Sequence, residues 1–248
     1  ATVSETSDPE AYKLLVRALQ AFRRPGRENY AGGAALLEEA IRRDGKDARA
    51  YGALADVRVG EANFNYLPPD SAFADARRLA EKSLALAEVP EAHMALARLA
   101  EVQEWKPEVA DEHMRRALEL NPGDARVIQF RGMLLVRMGR ADEGLALLRR
   151  ATELDPLHPG TFSNLGSMLG RLDRYPEAIE ALNGAVQISP EDPIVLTNLA
   201  NTYSQMGNHT LALDALQRAL LKQPDDLHLK GLRAYVQIRA RQREPALA

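Results

Sequence analysis

Four phrases decide the fold: RRALELNP (Arg115–Pro122), RRATELDP (Arg149–Pro156), NGAVQISP (Asn183–Pro190) and QRALLKQP (Gln217–Pro224). Their closing prolines lie 34 residues apart. A fixed period of that length marks a two-helix unit that cannot bury its apolar face alone and stacks on copies of itself. With each closing proline as the thirty-second residue, units begin at Glu91, Ala125, Pro159 and Pro193. The fourth positions read Met94, Ile128, Phe162 and Leu196, and the eighth Arg98, Gly132, Gly166 and Ala200. The twentieth read Ala110, Gly144, Ala178 and Ala212, and the twenty-fourth Met114, Leu148, Leu182 and Leu216. Ala117, Ala151, Ala185 and Ala219 occupy the twenty-seventh. Small residues let two helices approach, and large ones fill the space beside the contact.

The punctuation agrees. Gly139, Asp173 and Gly207 fall at the fifteenth position, where a helix ends in the left-handed conformation that glycine adopts freely and aspartate tolerates. The next helix starts near Pro107, Asp142, Pro176 and Thr210, residues suited to a first turn. Valine and isoleucine recur at helical spacing, and no segment alternates as a strand would. These positions resemble the consensus of the tetratricopeptide repeat (TPR) over about half the chain. The resemblance implies an all-α, right-handed α-solenoid that binds other chains.

Weaker copies precede the regular ones. EEAIRRDG (Glu38–Gly45) and EKSLALAE (Glu81–Glu88) each end a second helix, and ARAYGALADVRV supplies a first helix for the second unit. That unit carries a long insertion, EANFNYLPPDSAF, and the first a shorter one near Arg24-Pro25-Gly26. LHLKGLRAYVQIRA, with Leu229, Leu232 and Val236, reads as a capping helix over the last apolar face. Six units and a cap are therefore expected at 11–47, 48–90, 91–124, 125–158, 159–192, 193–226 and 227–241. Residues 1–10 and 242–248 are read as flexible tails.

Composition narrows the function. The 248 residues suffice for a continuous core. The net charge of −3 argues against general nucleic-acid or anionic-membrane binding. No apolar run is long enough to span a membrane. The chain has no cysteine, which leaves the redox compartment open, cytoplasmic or periplasmic. It begins Ala1-Thr2-Val3 and is read as a processed or excised chain.

The first half carries a second resemblance. DPEAYKLLVRAL, the long second unit and EAHMALARLAEVQEWKPEVADEHMRRALELNP, with Glu104-Trp105 before a helix, are similar to the carboxy-terminal TPR regions of bacterial adenylate cyclases, winged-helix regulators and serine/threonine kinases. That likeness implies a regulatory or sensory module. A structural subunit docking through its convex face or its ends is a further alternative.

Catalytic patterns do not emerge. Neither a GxxxxGK[ST] phosphate loop nor an HExxH metal motif occurs, no cofactor is implied, and the chain is read as non-enzymatic. Of five histidines, His93 and His113 can meet between the two helices of one unit, but a metal site needs further ligands. His158 beside Asp155 reads as a solvated loop. Trp105, at an inter-helix turn, reads as structural.

The TPR resemblance implies that the first helix of each unit lines a concave groove, through roughly the second, fifth, sixth, ninth, twelfth and thirteenth positions. The candidate partner-binding residues are then Leu96, Leu99, Arg126, Gln129, Phe130, Met133, Arg137, Asn164, Ser167, Arg171, Asn198, Asn201, Gln205 and Arg239. They grade from apolar in units three and four to polar in units five and six, with a basic row along one edge. The partner is a protein or peptide in extended or helical form. An asparagine amide can grip a peptide bond through one acceptor and two donors. Asn164 and Asn198 resemble the asparagine ladder in the TPR region of O-linked N-acetylglucosamine transferase, and one element of the carboxylate clamp that holds chaperone tails. Ser163, Ser167 and Ile194 stand where that clamp needs basic or amide groups, which disfavours a chaperone tail. The bland alternative for the asparagines is a solvated or inter-helix hydrogen bond. Phe130 and Met133 lie off the stripe of Ile128, Leu135 and Leu148, where apolar side chains suit a partner. Phe64, Tyr66 and Phe73 of the insertion either form a lip or fold onto their own unit.

Overall fold

The computed structural model describes residues 8–22 and 26–243. Thirteen α-helices and no strand occur among them. They pair in chain order: α1 (Pro9–Ala21) with α2 (Arg27–Arg43), α3 (Ala48–Asn63) with α4 (Pro69–Leu86), and α5 (Pro90–Val102) with α6 (Pro107–Leu120). Next come α7 (Ala125–Arg137) with α8 (Ala141–Leu154), α9 (Pro159–Arg171) with α10 (Tyr175–Ile188), and α11 (Pro193–Gln205) with α12 (His209–Lys222). Helix α13 (Leu227–Arg243) follows alone. Among the described residues, no helix is long and apolar enough to cross a membrane.

Local chemistry sets these boundaries. Asp8, Asp47 and Asp192 cap α1, α3 and α11 by accepting from backbone N–H groups of the first turn. Prolines open α4, α5, α6, α9 and α11, where no intrahelical donor is needed. Helix α1 opens at Pro9, two residues before the first unit's expected start at 11. At the other end α13 runs two residues past 241. Of the first insertion, Arg24 and Pro25 lie outside the described residues.

The chain forms two compact units, one up to Val127 and one from Ile128. In the first, Leu15, Leu37, Leu54 and Leu79 are buried among alanines. Arg58 ties α2, α3 and α4 together through Glu38 (2.6 Å), Glu61 (2.6 Å) and Asp75 (3.2 Å). In the second, Leu148, Leu165, Met168 and Leu169 form one cluster, and Leu196, Leu216, Leu229 and Val236 another. Val236 and Leu229 of α13 thus cover the last pair, as a cap does.

The repeat positions govern this packing. Met114, Leu148, Leu182 and Leu216 are all completely buried, as are Ala117, Ala151, Ala185 and Ala219. A Cβ on Gly132 would come within 2.9 Å of both the Gly144 carbonyl oxygen and Leu148 Cγ. Glycine at the eighth position is what lets α7 and α8 touch.

Candidate protein-binding surface

The first helices of the second unit place the candidate row on one element after another. Phe130, Met133, Asn164, Ser167, Asn198 and Asn201 are half-buried, and Arg137, Arg171, Gln205 and Arg239 are exposed. Met133 also packs against the cluster of Val136, Leu145 and Leu165. The two asparagines differ. Asn198 donates from its amide nitrogen to the Ser163 hydroxyl at 2.9 Å, so its NH₂ group already serves an inter-helix bond. The Asn164 side chain has no hydrogen-bond partner among the described residues. Arg239 donates to the Tyr235 hydroxyl at 2.8 Å and lies over that ring.

Four of the expected positions are corrected. Leu99 is completely buried against Val59 and Ala76, and Leu96 packs on the same cluster. The reason is a one-residue shift. Helix α5 begins at Pro90, and the α5–α6 turn is one residue longer than the α7–α8 turn. Ala97, not Arg98, therefore takes the small, fully buried place. Gln129 is only 8% exposed. Arg126 is engaged with Asp56 at 3.2 Å. The apolar end of the expected gradient reduces to Phe130 and Met133.

The shift brings together charges that the repeat numbering alone does not pair. Asp56 of α3, 5% exposed, sits between Arg98 (2.5 Å) and Arg126 (3.2 Å). Burial opposes ionisation of Asp56, but the two guanidiniums outweigh it and hold the carboxyl below its ordinary range. Glu91 accepts from Arg49 Nε at 2.9 Å, while its other carboxylate oxygen is buried without a partner. An aspartate on α3 and an arginine displaced by one residue were the only signals, and the displacement is invisible without the α5 boundary.

Two of the three insertion aromatics pack beyond their own unit. Phe64 and Tyr66 stack at 5.5 Å, and each meets Tyr30 of α2 edge-on at 5.7 Å. Arg27 donates to the Tyr66 carbonyl at 3.0 Å. Phe73 alone packs at home, beside Val59 and Ala76. Trp105 sits at the α5–α6 turn, 83% exposed, with φ of 56°.

His93 and His113 do meet, with their Nδ1 atoms 3.0 Å apart, and His93 Nε2 lies 3.3 Å from Glu88. Burial pushes both imidazoles below their ordinary value. Two facing imidazoles with one carboxylate on the far ring nitrogen share a proton and do not converge on one point. Among the described residues no group of three or more metal-ligating side chains occurs.

Two family models, each described as tetratricopeptide repeat, match residues 131–193 and 171–235. These segments are tetratricopeptide repeats. A comparison with curated proteins finds no match. Among solved structures, yeast Tom70 superposes with a TM-score of 0.65 at 19% identity, over 97% of this chain and 51% of its own. PilW, a type IV pilus biogenesis factor, gives 0.64 at 15% identity, over 91% and 99%. YrrB, a TPR protein with an unusual peptide-binding site, gives 0.51 at 22% identity, over 81% and 97%. The chain thus spans about half of Tom70 and nearly all of the other two. The likeness shows the fold, a TPR helical-repeat solenoid. Tetratricopeptide repeats generally serve as protein-interaction scaffolds, and no catalytic family is indicated.

Proposed function

We propose that the chain is a non-catalytic scaffold that holds an extended peptide segment along the first-helix row of its second unit. The observation that carries this reading is the half-buried Asn164 amide, which has no hydrogen-bond partner among the described residues. A polar group that is partly shielded from water gains most from a ligand that satisfies it. A peptide backbone offers the matching donor and acceptor at every residue. Phe130 and Met133 supply an apolar contact earlier in the row, and Arg137 and Arg171 favour acidic side chains on the ligand. YrrB, a TPR protein of like fold, has a peptide-binding site, which supports this reading.

Selection of peptides from a random library against the full chain tests the proposal. Selected peptides should lose about tenfold in affinity with Asn164→Ala, the size of one well-made hydrogen bond. Selected peptides that ignore both Asn164→Ala and Phe130→Ala would move the binding surface elsewhere.

A second reading rests on the first unit. The long insertion of the second TPR unit and Glu104-Trp105 carry a sequence resemblance to TPR regions of bacterial cyclases, winged-helix regulators and kinases, which would make the chain a regulatory module. A cyclase, kinase or DNA-binding domain encoded in the same gene would favour it.

A further inference from the structure

Helix α13 is in phase with the first helices of the preceding pairs. Counted from Leu227, Ala234 is the eighth residue and Ile238 the twelfth, as Gly132 and Val136 are from Ala125. In the α7–α8 pair these positions make a reciprocal contact. A Cβ on Gly132 would meet Leu148 Cγ at 2.9 Å, and one on Gly144 would meet Val136 Cγ2 at 2.7 Å. Each helix thus offers a small residue and, four residues later, a large one, and antiparallel packing seats each large side chain on the other's small one. Gly144 and Leu148 on α8, Ala178 and Leu182 on α10, and Ala212 and Leu216 on α12 repeat the pattern.

On α13 the same face is open. Leu229, Leu232 and Val236 point into the last core cluster. Leu227 is 81% exposed, Ile238 57% and Tyr235 50%, and Gly231 and Ala234 are exposed as well. A Cβ on Gly231 would meet nothing within 4 Å. Leu227, Gly231, Ala234 and Ile238 fall at i, i+4, i+7 and i+11, one stripe of a helix. Along the helix itself the charge is basic, while Lys230 pairs with Asp225, just before the helix, at 3.4 Å. Between Leu227 and Arg241 stand Lys230, Arg233, Arg239 and Arg241, with no acidic residue.

We propose that this stripe of α13 docks an acidic amphipathic helix from a partner protein, packed antiparallel and presenting a small residue followed four positions later by leucine. The small-and-large pattern fixes the packing, and the basic flanks fix the sign of the partner's charge. Two copies of α13 would repeat the packing but bring Lys230, Arg233, Arg239 and Arg241 of one beside those of the other, with only Asp225 and Asp226 of each to offset them, a net like-charge seam.

The chain contains a suitable probe. Residues Tyr175–Ile188 carry Ala178 and Leu182 together with Glu177 and Glu180 and no basic residue. A helix-stabilised synthetic peptide of that sequence is titrated into the full chain and followed by nuclear magnetic resonance. Amide shifts should appear on α13, with a dissociation constant below about 1 mM. Ala234→Leu fills the notch and should abolish them, and Ile238→Ala should weaken binding about tenfold. Both positions are exposed, and circular dichroism verifies the fold of each variant. A peptide with both glutamates replaced by lysine should bind at least tenfold less tightly, whatever the variants do. No shift on α13, shifts indifferent to Ala234→Leu, or equal binding of the lysine peptide would each overturn the proposal. So would a peptide-free dimer in sedimentation that Ile238→Asp dissociates, because a second copy would then occupy the face.

Discussion

The Asn198 amide nitrogen donates to the Ser163 hydroxyl at 2.9 Å and so joins α11 to α9 across one repeat boundary. Ser163 is 2% exposed, so losing this partner leaves a buried hydroxyl poorly satisfied. Asn198→Ala should cost about 0.5–1.5 kcal/mol of stability. Asn164→Ala breaks no such bond and should leave the urea midpoint unchanged. In a double-mutant cycle, Ser163→Ala should mask most of the Asn198→Ala effect. Equal losses in the two single asparagine variants would show that the hydrogen bond does not separate them. The same difference makes Asn164→Ala the cleaner test of peptide binding, since its effect on affinity is not mixed with an effect on the repeat boundary.

The His93–His113 pair gives a pH dependence with a definite sign. Burial lowers the folded-state value of His93, and burial followed by the charge of His93 lowers that of His113. Glu88, Arg116 and Glu119 face His93, while Glu112 and Glu104 act on His113. An unfolded histidine takes its proton near 6.5. The unfolded chain then binds more protons than the folded one as pH falls below that point, so stability is complete above about 6.5 and declines beneath it. Glu88 acts in a lower window. Arg116 holds its carboxyl at about 2, so its contribution is present above 4.5 and fades as pH falls toward about 2. Urea midpoints measured from pH 8 to 5.5 should fall, and the double variant His93→Gln, His113→Gln should flatten that segment. An unchanged slope in the double variant would assign the effect to other groups.

What the sequence made legible follows from how strictly each position is constrained. The twenty-fourth and twenty-seventh positions are packed on all sides, so the residues Met114, Leu148, Leu182 and Leu216 and their alanine partners declared the core directly. The fifteenth position was read through its glycines and Asp173, yet Trp105 stands at the same place with the same left-handed backbone, φ 56° against 83°, 58° and 80°. A tryptophan is uncommon in that conformation, so the turn was placed there but its left-handed backbone went unread. The register of α5 escaped because a period counted from Pro122 cannot sense one extra residue between two helices. That single residue turned Leu99 inward and Arg98 toward Asp56. The insertion was illegible for a different reason: aromatic residues in a loop say that they will be covered, and not by which helix.

Two glycine substitutions with opposite signs test the packing. Gly132→Ala would put a methyl group 2.9 Å from the Gly144 carbonyl oxygen and should destabilise by about 1–3 kcal/mol, the usual cost of overpacking. Gly32→Ala, inside α2, meets nothing within 4 Å and should stabilise by about 0.4–1 kcal/mol through the unfolded chain. Denaturant melts of the two variants distinguish them. A neutral Gly132→Ala would mean that α7 and α8 separate without cost, contrary to the reciprocal contact inferred for α13.

Asp56 carries the largest expected effect. Its carboxylate is 5% exposed and engages Arg98 at 2.5 Å and Arg126 at 3.2 Å. Removing this carboxylate takes the anion from between two cations, one of them, Arg98, with a side chain only 11% exposed. Breaking a buried pair from one side costs about 3–5 kcal/mol, because an uncompensated charge remains. Asp56→Ala should therefore fall in that range. Arg126→Ala should cost much less, since the Arg126 side chain is 37% exposed and Asp56 keeps Arg98. The double variant Asp56→Ala, Arg98→Met removes the charges on both sides and should recover part of the loss. Because the two arginines lower the folded-state value of Asp56, the contribution is present at neutral pH and is lost as pH falls below about 3.9. Chemical denaturation of the four proteins at pH 7 decides the matter. A loss under about 1 kcal/mol for Asp56→Ala would mean that water, not protein, surrounds this carboxylate.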